Sequence, residues 1–179
     1  MNALQSTATS TAKHAHAGKY LTFHLAAEEY GVEILKVREI IGLMKITRVP
    51  RASAHIRGVI NLRGKVIPVL DLRCRFGMDI TPTTEQTCVI VVEIAVAGGA
   101  MMMGLVVDAV SEVLAIGTDQ IEDAPTWNSQ ADCEFILGIA KVKNEVKILL
   151  DIDRVLTSDD EAALSAVSQP GDLEEAVSA

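Results

Sequence analysis

The residues best suited to chemistry in this chain are its cysteines and histidines. Cys74, Cys88 and Cys133 are scattered and form no C-x-x-C pair, a pattern that predicts neither a zinc site nor a disulfide framework and fits a reducing compartment. His14 and His16 could chelate a metal ion, but two ligands in a flexible tail make a weak site. The sequence also lacks a P-loop, a G-x-S-x-G elbow and an H-E-x-x-H motif. It therefore predicts no enzyme, no metal and no cofactor.

Charge is more informative than reactivity. Residues 45–75 contain eight lysines or arginines against Asp71 alone, a net charge of +7, whereas residues 108–134 contain seven acidic residues and no basic one, a net charge of −7. Oppositely charged halves could dock head to tail with copies or relatives of the chain. Ordinary surface charge explains the same numbers equally well. The net charge of −8 for the whole chain predicts repulsion from nucleic acid and from anionic membranes.

The basic stretch coincides with a segment that occurs twice. Residues 56–76 are typical of two short apolar strands, a turn and a one-turn helix, and residues 136–156 repeat this pattern at a fixed offset of 80. The two turns carry Gly64 and Asn144, the residue types that best tolerate a positive φ. The matched pairs are Ile56 with Ile136, Gly58 with Gly138, Val66 with Val146, and Asp71 with Asp151. Both aspartates precede a helical turn, where an N-cap is expected.

A second internal match extends the repeat. Residues 103–116 correspond to residues 30–43 at an offset of 73, so the chain is predicted to contain one fold twice. Aromatic residues make up only 3% of the chain and hydrophobic residues 49%, which favours a core of Val, Ile and Leu and hence β-structure. Short strands and glycine turns predict an all-β fold with few short helices, built as two small barrels that leave few edges open.

The predicted organisation has three parts. Residues 1–19 are expected to form a disordered tail, because they are rich in Ser, Thr and Ala. Residues 20–157 contain the folded domain, with approximate subdomains at 20–84 and 85–157. Residues 158–179 begin with an S-x-x-E capping box, which predicts a C-terminal helix followed by a frayed end.

One residue of the repeated turn has particular functional interest. Arg63 follows Ile60 and Leu62, which are expected to face the core, so its side chain should point outward. Glu39 is the nearest plausible counter-charge in the first half of the chain. The alternative is an ordinary surface arginine, which contributes little by itself.

A nucleic-acid-binding function is the alternative that the charge pattern leaves open. Small barrels often bind oligonucleotides, and the basic half would suit a single-stranded partner. However, Phe76 is the only aromatic residue that the basic segment offers for stacking on bases.

The motifs VINLRGKVIPVLDLRCRFG, EEYGVEILKVREI and GLVVDAVSEVL together resemble the CheW-type chemotaxis coupling proteins, over about residues 20–156. The resemblance implies two SH3-like five-stranded β-barrel subdomains related by the internal repeat. It also implies a non-enzymatic adaptor that links the cytoplasmic tips of methyl-accepting chemoreceptors to the regulatory domain of the histidine kinase CheA. Such an adaptor is cytoplasmic, reaches the membrane only through its receptors, and pairs pseudo-symmetrically into rings. It has no nucleic-acid partner.

The resemblance also implies particular contact residues. The receptor-binding residues would be Val37, Glu39, Arg63, Val110 and Val113, with a salt bridge between Glu39 and Arg63 holding the contacting turn. The kinase-binding residues would be Gly42, Gly58 and Gly138. The tail before Lys19 and residues 125–133 have no match in the family.

Overall fold

The computed structural model describes residues 17–79, 81–96, 99–123 and 135–155. The strands in these ranges are β1 (Gly18–Leu25), β2 (Glu28–Glu33), β3 (Val37–Gly42), β4 (Ile56–Leu62), β5 (Lys65–Asp71), β6 (Cys88–Val96), β7 (Gly99–Val107), β8 (Ala109–Ile116), β9 (Ile121–Asp123), β10 (Ile136–Val142) and β11 (Glu145–Leu150). Helix α1 is Leu72–Arg75, and 3-10 turns cover Ile34–Lys36, Thr118–Gln120 and Ile152–Arg154. Among these residues, no helix is long and apolar enough to cross a membrane.

Both predicted ends of the chain fall largely outside the described ranges. Residues 1–16 of the expected tail and the expected helix in residues 158–179 are not covered. Strand β1 begins at Gly18, so the last residues assigned to the tail by sequence belong to the folded domain instead.

The strands form two sheets, and each sheet belongs to one compact unit. Unit 1 comprises residues 17–37 and the described part of 109–155, with the strand order β8-β1-β2-β11-β10-β9. Unit 2 comprises the described part of 38–108, with the order β3-β6-β7-β5-β4. Each unit therefore contains one copy of the duplicated strand-turn-helix segment.

These units differ from the contiguous subdomains that were expected at residues 20–84 and 85–157. The β1–β2 hairpin pairs with β8 and β11, and the β6–β7 hairpin shares its sheet with β3, β4 and β5. Each repeat thus gives its first hairpin to the sheet that holds the later strands of the other repeat. Hydrophobic periodicity specifies which segments are strands and which faces they bury, but it does not specify the partner of each strand.

Both sheets close on themselves. In unit 1, β8 and β9 lie at opposite edges of a six-stranded sheet, yet only residues 117–120 connect them. A flat sheet would separate these edges by about 24 Å at ~4.8 Å per strand, whereas five chain steps span at most about 18 Å. In unit 2, Thr47 and Val59 exchange two backbone hydrogen bonds of 2.8 Å, which join the segment after β3 to the edge strand β4. The predicted pair of small SH3-like barrels is confirmed.

The repeated turns and caps follow the sequence prediction. Gly64 and Asn144 have φ values of 86° and 66°. The Asp71 carboxylate accepts hydrogen bonds from the N–H groups of Arg73 and Cys74, and the Asp151 carboxylate accepts one from Asp153. The same local chemistry therefore ends the second strand of each copy.

Each unit has its own core, and both cores are mainly aliphatic. The buried cluster of unit 2 is Ile60, Ile67, Val69, Val89, Val91 and Val106. The buried cluster of unit 1 is Tyr20, Ile116, Ile121, Ala140, Val142 and Leu149. Full burial of a large aliphatic side chain stabilises the fold by roughly 1.5–3 kcal/mol. Burial also raises the pKa of the Tyr20 hydroxyl to about 12.

Candidate functional site

The turn between β4 and β5 presents an arginine whose orientation is fixed. Arg63 Nη1 donates to Glu39 Oε1 and Arg63 Nη2 donates to Glu39 Oε2, both at 3.0 Å. A two-pronged contact of this kind is the strongest that a guanidinium makes with a carboxylate. The Arg63 side chain is 77% exposed, whereas that of Glu39 is 25% exposed. Glu39 on β3 therefore holds an outward-facing guanidinium in place, and the predicted salt bridge is present.

The backbone of this turn is held as firmly as the side chain. Arg63 and Gly64 both have positive φ, 53° and 86°, as in the tight two-residue turns that match the twist of hairpin strands. The Gly64 N–H donates to Asn61 Oδ1 at 2.9 Å. An exposed ion pair adds at most about 1 kcal/mol to stability. The Glu39–Arg63 pair is thus better suited to presenting Arg63 than to stabilising unit 2.

The other predicted receptor-binding residues belong to unit 1. Val37 is its last residue before the chain enters unit 2 and is half-buried. Val110 and Val113 lie on β8 opposite Phe23 and Leu21 of β1, and the register shifts between these two pairs. Directly opposite residues of an antiparallel pair share a face, and Phe23 and Leu21 are two residues apart. The irregularity in β8 therefore brings Val110 and Val113 to the same face of the sheet.

A buried threonine holds this irregularity, and sequence reasoning missed it. The Thr22 hydroxyl donates to the Glu112 carbonyl at 2.8 Å and accepts from the Glu112 N–H at 3.1 Å. Thr22 is fully buried, so it satisfies both backbone groups where the strand pairing is interrupted. In the sequence, Thr22 alternates with Leu21 and Phe23, a period typical of a strand with one exposed face. The sequence feature that would indicate this role is a small hydroxyl residue placed among large side chains in a strand whose two faces are both covered.

The three glycines predicted to contact a kinase have different environments. A Cβ atom on Gly58 would lie 2.1 Å from the carbonyl oxygen of Thr47, and one on Gly138 would lie 2.7 Å from the carbonyl oxygen of Glu122. Both glycines are buried at the equivalent bulge of the two copies, where another backbone segment passes closely. Gly42 is exposed, and a Cβ there would meet no atom within 4 Å. Of the three, Gly42 alone can accept a side chain without disturbing its unit.

The basic stretch of unit 2 is partly neutralised. Arg73 donates two hydrogen bonds to the carboxylate of Asp108, and this contact raises the pKa of the Arg73 guanidinium. Arg57 Nη1 lies 3.6 Å from Asp71 Oδ2. The segment between β3 and β4 keeps exposed basic side chains, namely Lys45, Arg48 and Arg51. The net charge of residues 45–75 therefore overstates the charge that this surface presents.

Unit 1 contains a cavity of about 300 Å³ lined mainly by charged residues at the ends of β2 and β11. Within it, Lys36 Nζ donates to Asp153 Oδ2 at 2.9 Å, and this hydrogen bond raises the pKa of Lys36. Asp151 Oδ2 lies 3.4 Å from Arg154 Nε. These carboxylates already have basic partners. The described residues contain no group of three His, Cys, Asp or Glu side chains placed to hold a metal ion.

Comparison with known proteins identifies the family. Residues 19–160 match the model of the CheW-like domain. The chain is 37% identical over 151 residues to the chemotaxis protein CheW of Klebsiella aerogenes, covering 84% of this chain and 89% of that protein. It is 33% identical over 157 residues to the CheW of Rhizobium meliloti, covering 87% and 99%. The crystal structure of the scaffolding protein TtCheW from Thermoanaerobacter tengcongensis matches with a TM-score of 0.71 at 36% identity, covering 80% of this chain and 95% of that one. The chain belongs to the CheW-like domain family.

Proposed function

We propose that this protein is a non-enzymatic chemotaxis adaptor that couples methyl-accepting chemoreceptors to the histidine kinase CheA. The observation that carries the proposal is the Arg63 guanidinium, which is exposed and yet fixed by Glu39 on a CheW-like domain. An arginine presented in this way needs no reordering when it meets a partner, which lowers the entropic cost of binding. The adaptor would work in the cytoplasm and reach the membrane through its receptors.

The receptor contact would combine this arginine with apolar side chains. Val37, Val110 and Val113 supply the apolar part, and Val113 is 49% exposed. Arginine is enriched among the residues that dominate binding energy at interfaces. A receptor signalling tip that offers both a carboxylate and an apolar surface would suit these two kinds of side chain.

A matched pair of alanine substitutions tests the receptor contact. Arg63→Ala removes the presented guanidinium, and Lys143→Ala removes the exposed lysine at the equivalent turn position of unit 1, where φ is also positive. Co-sedimentation with receptor-containing membranes should show roughly tenfold weaker binding for Arg63→Ala and unchanged binding for Lys143→Ala. Equal binding by both variants would remove Arg63 from the contact.

The kinase contact would include Gly42, with the regions around Gly58 and Gly138. Because Gly42 is exposed and faces open space, Gly42→Arg should block a partner surface while Gly42→Ala should not. Pull-down with the CheA regulatory domain should be weakened only by the arginine. Loss of receptor binding in the same variant would mean that the substitution acts on the fold and not on the kinase surface.

Two further expectations belong to this proposal. Pairing with the kinase domain and with copies of the chain would assemble rings, which analytical ultracentrifugation of the mixed components would detect. A single-stranded nucleic-acid partner is the alternative that the exposed Lys45, Arg48 and Arg51 favour. Fluorescence anisotropy with a labelled oligonucleotide at low salt tests it, because phosphate contacts are strongest there. We expect no binding.

A further inference from the structure

An ion pair between a buried lysine and a partly buried glutamate joins the two strands that pair in parallel in unit 1. Lys147 on β11 is 3% exposed, and its ammonium contacts the carboxylate of Glu29, its register partner on β2. Glu29 is also 3.5 Å from His24 Nε2, and Lys147 Nζ is 3.6 Å from Glu145 Oε2. The contact with Lys147 lowers the pKa of Glu29. Each charge at this position is therefore compensated by the other.

Unit 2 has no charge at the equivalent position. The offset of 80 places Ile67 where Lys147 stands, and the offset of 73 places Met102 where Glu29 stands. The register agrees, since Val69 pairs with Gly104 in unit 2 as Leu149 pairs with Gly31 in unit 1. Ile67 is 2% exposed, and Met102 packs against the same cluster. The same site is thus apolar in one unit and ionic in the other.

A second pair of equivalent contacts has inverted polarity. Arg73 follows β5 and binds Asp108 at the point where the chain leaves unit 2. Asp153 occupies the equivalent place after β11 and binds Lys36 at the point where the chain leaves unit 1. In unit 2 the basic residue, Arg73, lies in helix α1, whereas in unit 1 the basic residue, Lys36, lies in the segment through which the chain leaves the unit.

We infer that these charges specify the exchange of hairpins between the two repeats. In a contiguous arrangement, β2 would pair with β5 and β7 with β11. Glu29 would then lie beside Ile67, and Lys147 beside Met102, so the buried Lys147 ammonium would lose its carboxylate and the partly buried Glu29 would lose its ammonium. An uncompensated buried charge is strongly unfavourable. At the offset of 73, Lys36 corresponds to Ala109, the residue after Asp108, so the contiguous arrangement would also bring Lys36 near Arg73 and Asp108 near Asp153. Every one of these contacts favours the exchanged arrangement that the structure has.

The apolar residues at the equivalent position of unit 2 indicate that the Glu29–Lys147 pair specifies strand pairing and does not serve mainly to stabilise the fold. Replacing a buried ion pair by apolar residues of similar volume is often neutral or stabilising. Unit 2 already shows that Met and Ile fit this place in the fold. Copying them into unit 1 would preserve packing and remove the feature that distinguishes β11 from β5 as a partner for β2.

The decisive variant is therefore Glu29→Met/Lys147→Ile, read out by engineered disulfides in a background with the native cysteines changed to alanine. Glu28→Cys with Val146→Cys reports β2 beside β11, and Glu28→Cys with Val66→Cys reports β2 beside β5. Neighbouring strands are about 4.8 Å apart, within the range that a disulfide spans. After refolding and oxidation, we measure the yield of the disulfide in each cysteine pair. In the Glu29→Met/Lys147→Ile chain, the yield for the Glu28→Cys/Val66→Cys pair should be about tenfold higher than in the chain with native charges. An unchanged ratio would overturn the inference.

A variant in which the two charges are exchanged tests whether an altered cross-link merely reflects a loss of folding. Glu29→Lys/Lys147→Glu keeps opposite charges on the two strands and should keep the native cross-link alone. Lys36→Asp/Asp153→Arg retains an ion pair but gives both units the same polarity, so it should raise the contiguous cross-link by a smaller factor. Adding Arg73→Asp/Asp108→Lys makes the polarities opposite again and should restore the native ratio. If this third step restores nothing, the inverted pairs have no part in specifying the exchange.

Discussion

Unit 1 and unit 2 share the order of five strands, to which unit 1 adds β9, yet they use different side chains at two kinds of equivalent position. In the core, Glu29 and Lys147 of unit 1 replace Met102 and Ile67 of unit 2. At the surface, the turn of unit 2 carries a clamped arginine, whereas that of unit 1 carries a lysine. Residues that set the backbone, such as the turn and N-cap residues, remain alike. The repeat therefore preserves backbone geometry, while the differences between its copies concern which strands pair and which surface meets a partner.

The largest expected effect comes from leaving one buried charge without its partner. Lys147→Met should lower the free energy of unfolding by about 3–4 kcal/mol, because the Glu29 carboxylate, only 15% exposed, would lose its ammonium partner and keep His24, 3.5 Å away, as its neighbour. The double variant Glu29→Met/Lys147→Ile should lie within about 1 kcal/mol of the native chain or above it. Urea unfolding followed by circular dichroism measures both. A double variant as unstable as the single one would mean that unit 1 cannot accept the apolar solution of unit 2.

The equivalent glycines provide the next largest contrast. Gly58→Ala should cost about 2–4 kcal/mol, because its φ of 144° is unfavourable for alanine and its Cβ would overlap the Thr47 carbonyl. Gly138→Ala should cost less, because the nearest backbone oxygen is 2.7 Å away and Gly138 is not among the residues with positive φ. Gly42→Ala is the control and should change the thermal midpoint little. The order Gly58, Gly138, Gly42 is what the measurement must reproduce.

A smaller effect is the dependence of stability on pH. The folded-state pKa of Glu29 is lowered from its ordinary value of 4.5, chiefly by the hydrogen bond with Lys147. A lowered carboxyl pKa contributes stability that is fully present above the unfolded-state value and is lost as the pH falls through the folded-state value. Between about pH 5 and pH 3, the native chain should therefore lose more stability than Glu29→Met/Lys147→Ile. Parallel curves for the two proteins would contradict the lowered pKa.

Much of this structure follows from local sequence chemistry. The positive φ of Gly64 and Asn144 and the caps at Asp71 and Asp151 depend on neighbouring residues alone, and the sequence predicted them. Residues 34–43 show both helix and strand spacing, which agrees with the short turn that leads into β3. The Glu39–Arg63 salt bridge came from the family resemblance.

Non-local pairing accounts for what the sequence did not predict. The partner of β2 is about 120 residues away, and β5 has the apolar pattern of β11 except at Ile67, where β11 has Lys147. Tyr20 and Thr22 alternate with Leu21 and Phe23 as in a strand with one exposed face, yet both are buried, because β1 is covered on both faces. Lys147 is buried only because Glu29 lies beside it. The sequence does show a single lysine, Lys147, in an apolar strand. Its burial could not be predicted without knowing that Glu29 lies on the neighbouring strand.

The smallest change in stability should accompany the clearest change in function. Arg63→Lys/Gly64→Asn gives unit 2 the turn of unit 1, and both turns already have matching positive φ. The free energy of unfolding should change by no more than about 0.5 kcal/mol, because both residues are exposed. Lysine cannot reproduce the two-pronged contact with Glu39, so receptor co-sedimentation should fall between that of the native chain and that of Arg63→Ala.

The reciprocal variant separates charge from presentation. Lys143→Arg/Asn144→Gly gives unit 1 the turn of unit 2, where the repeat places Glu112 in the position of Glu39. Within the described residues, no ion pair joins Glu112 to Lys143, and the backbone of Glu112 is held by Thr22 where the pairing of β8 shifts. An arginine there would lack a clamp, so no gain in receptor binding is expected. Tighter binding would show that a guanidinium at either turn suffices and that Glu39 does not need to orient it.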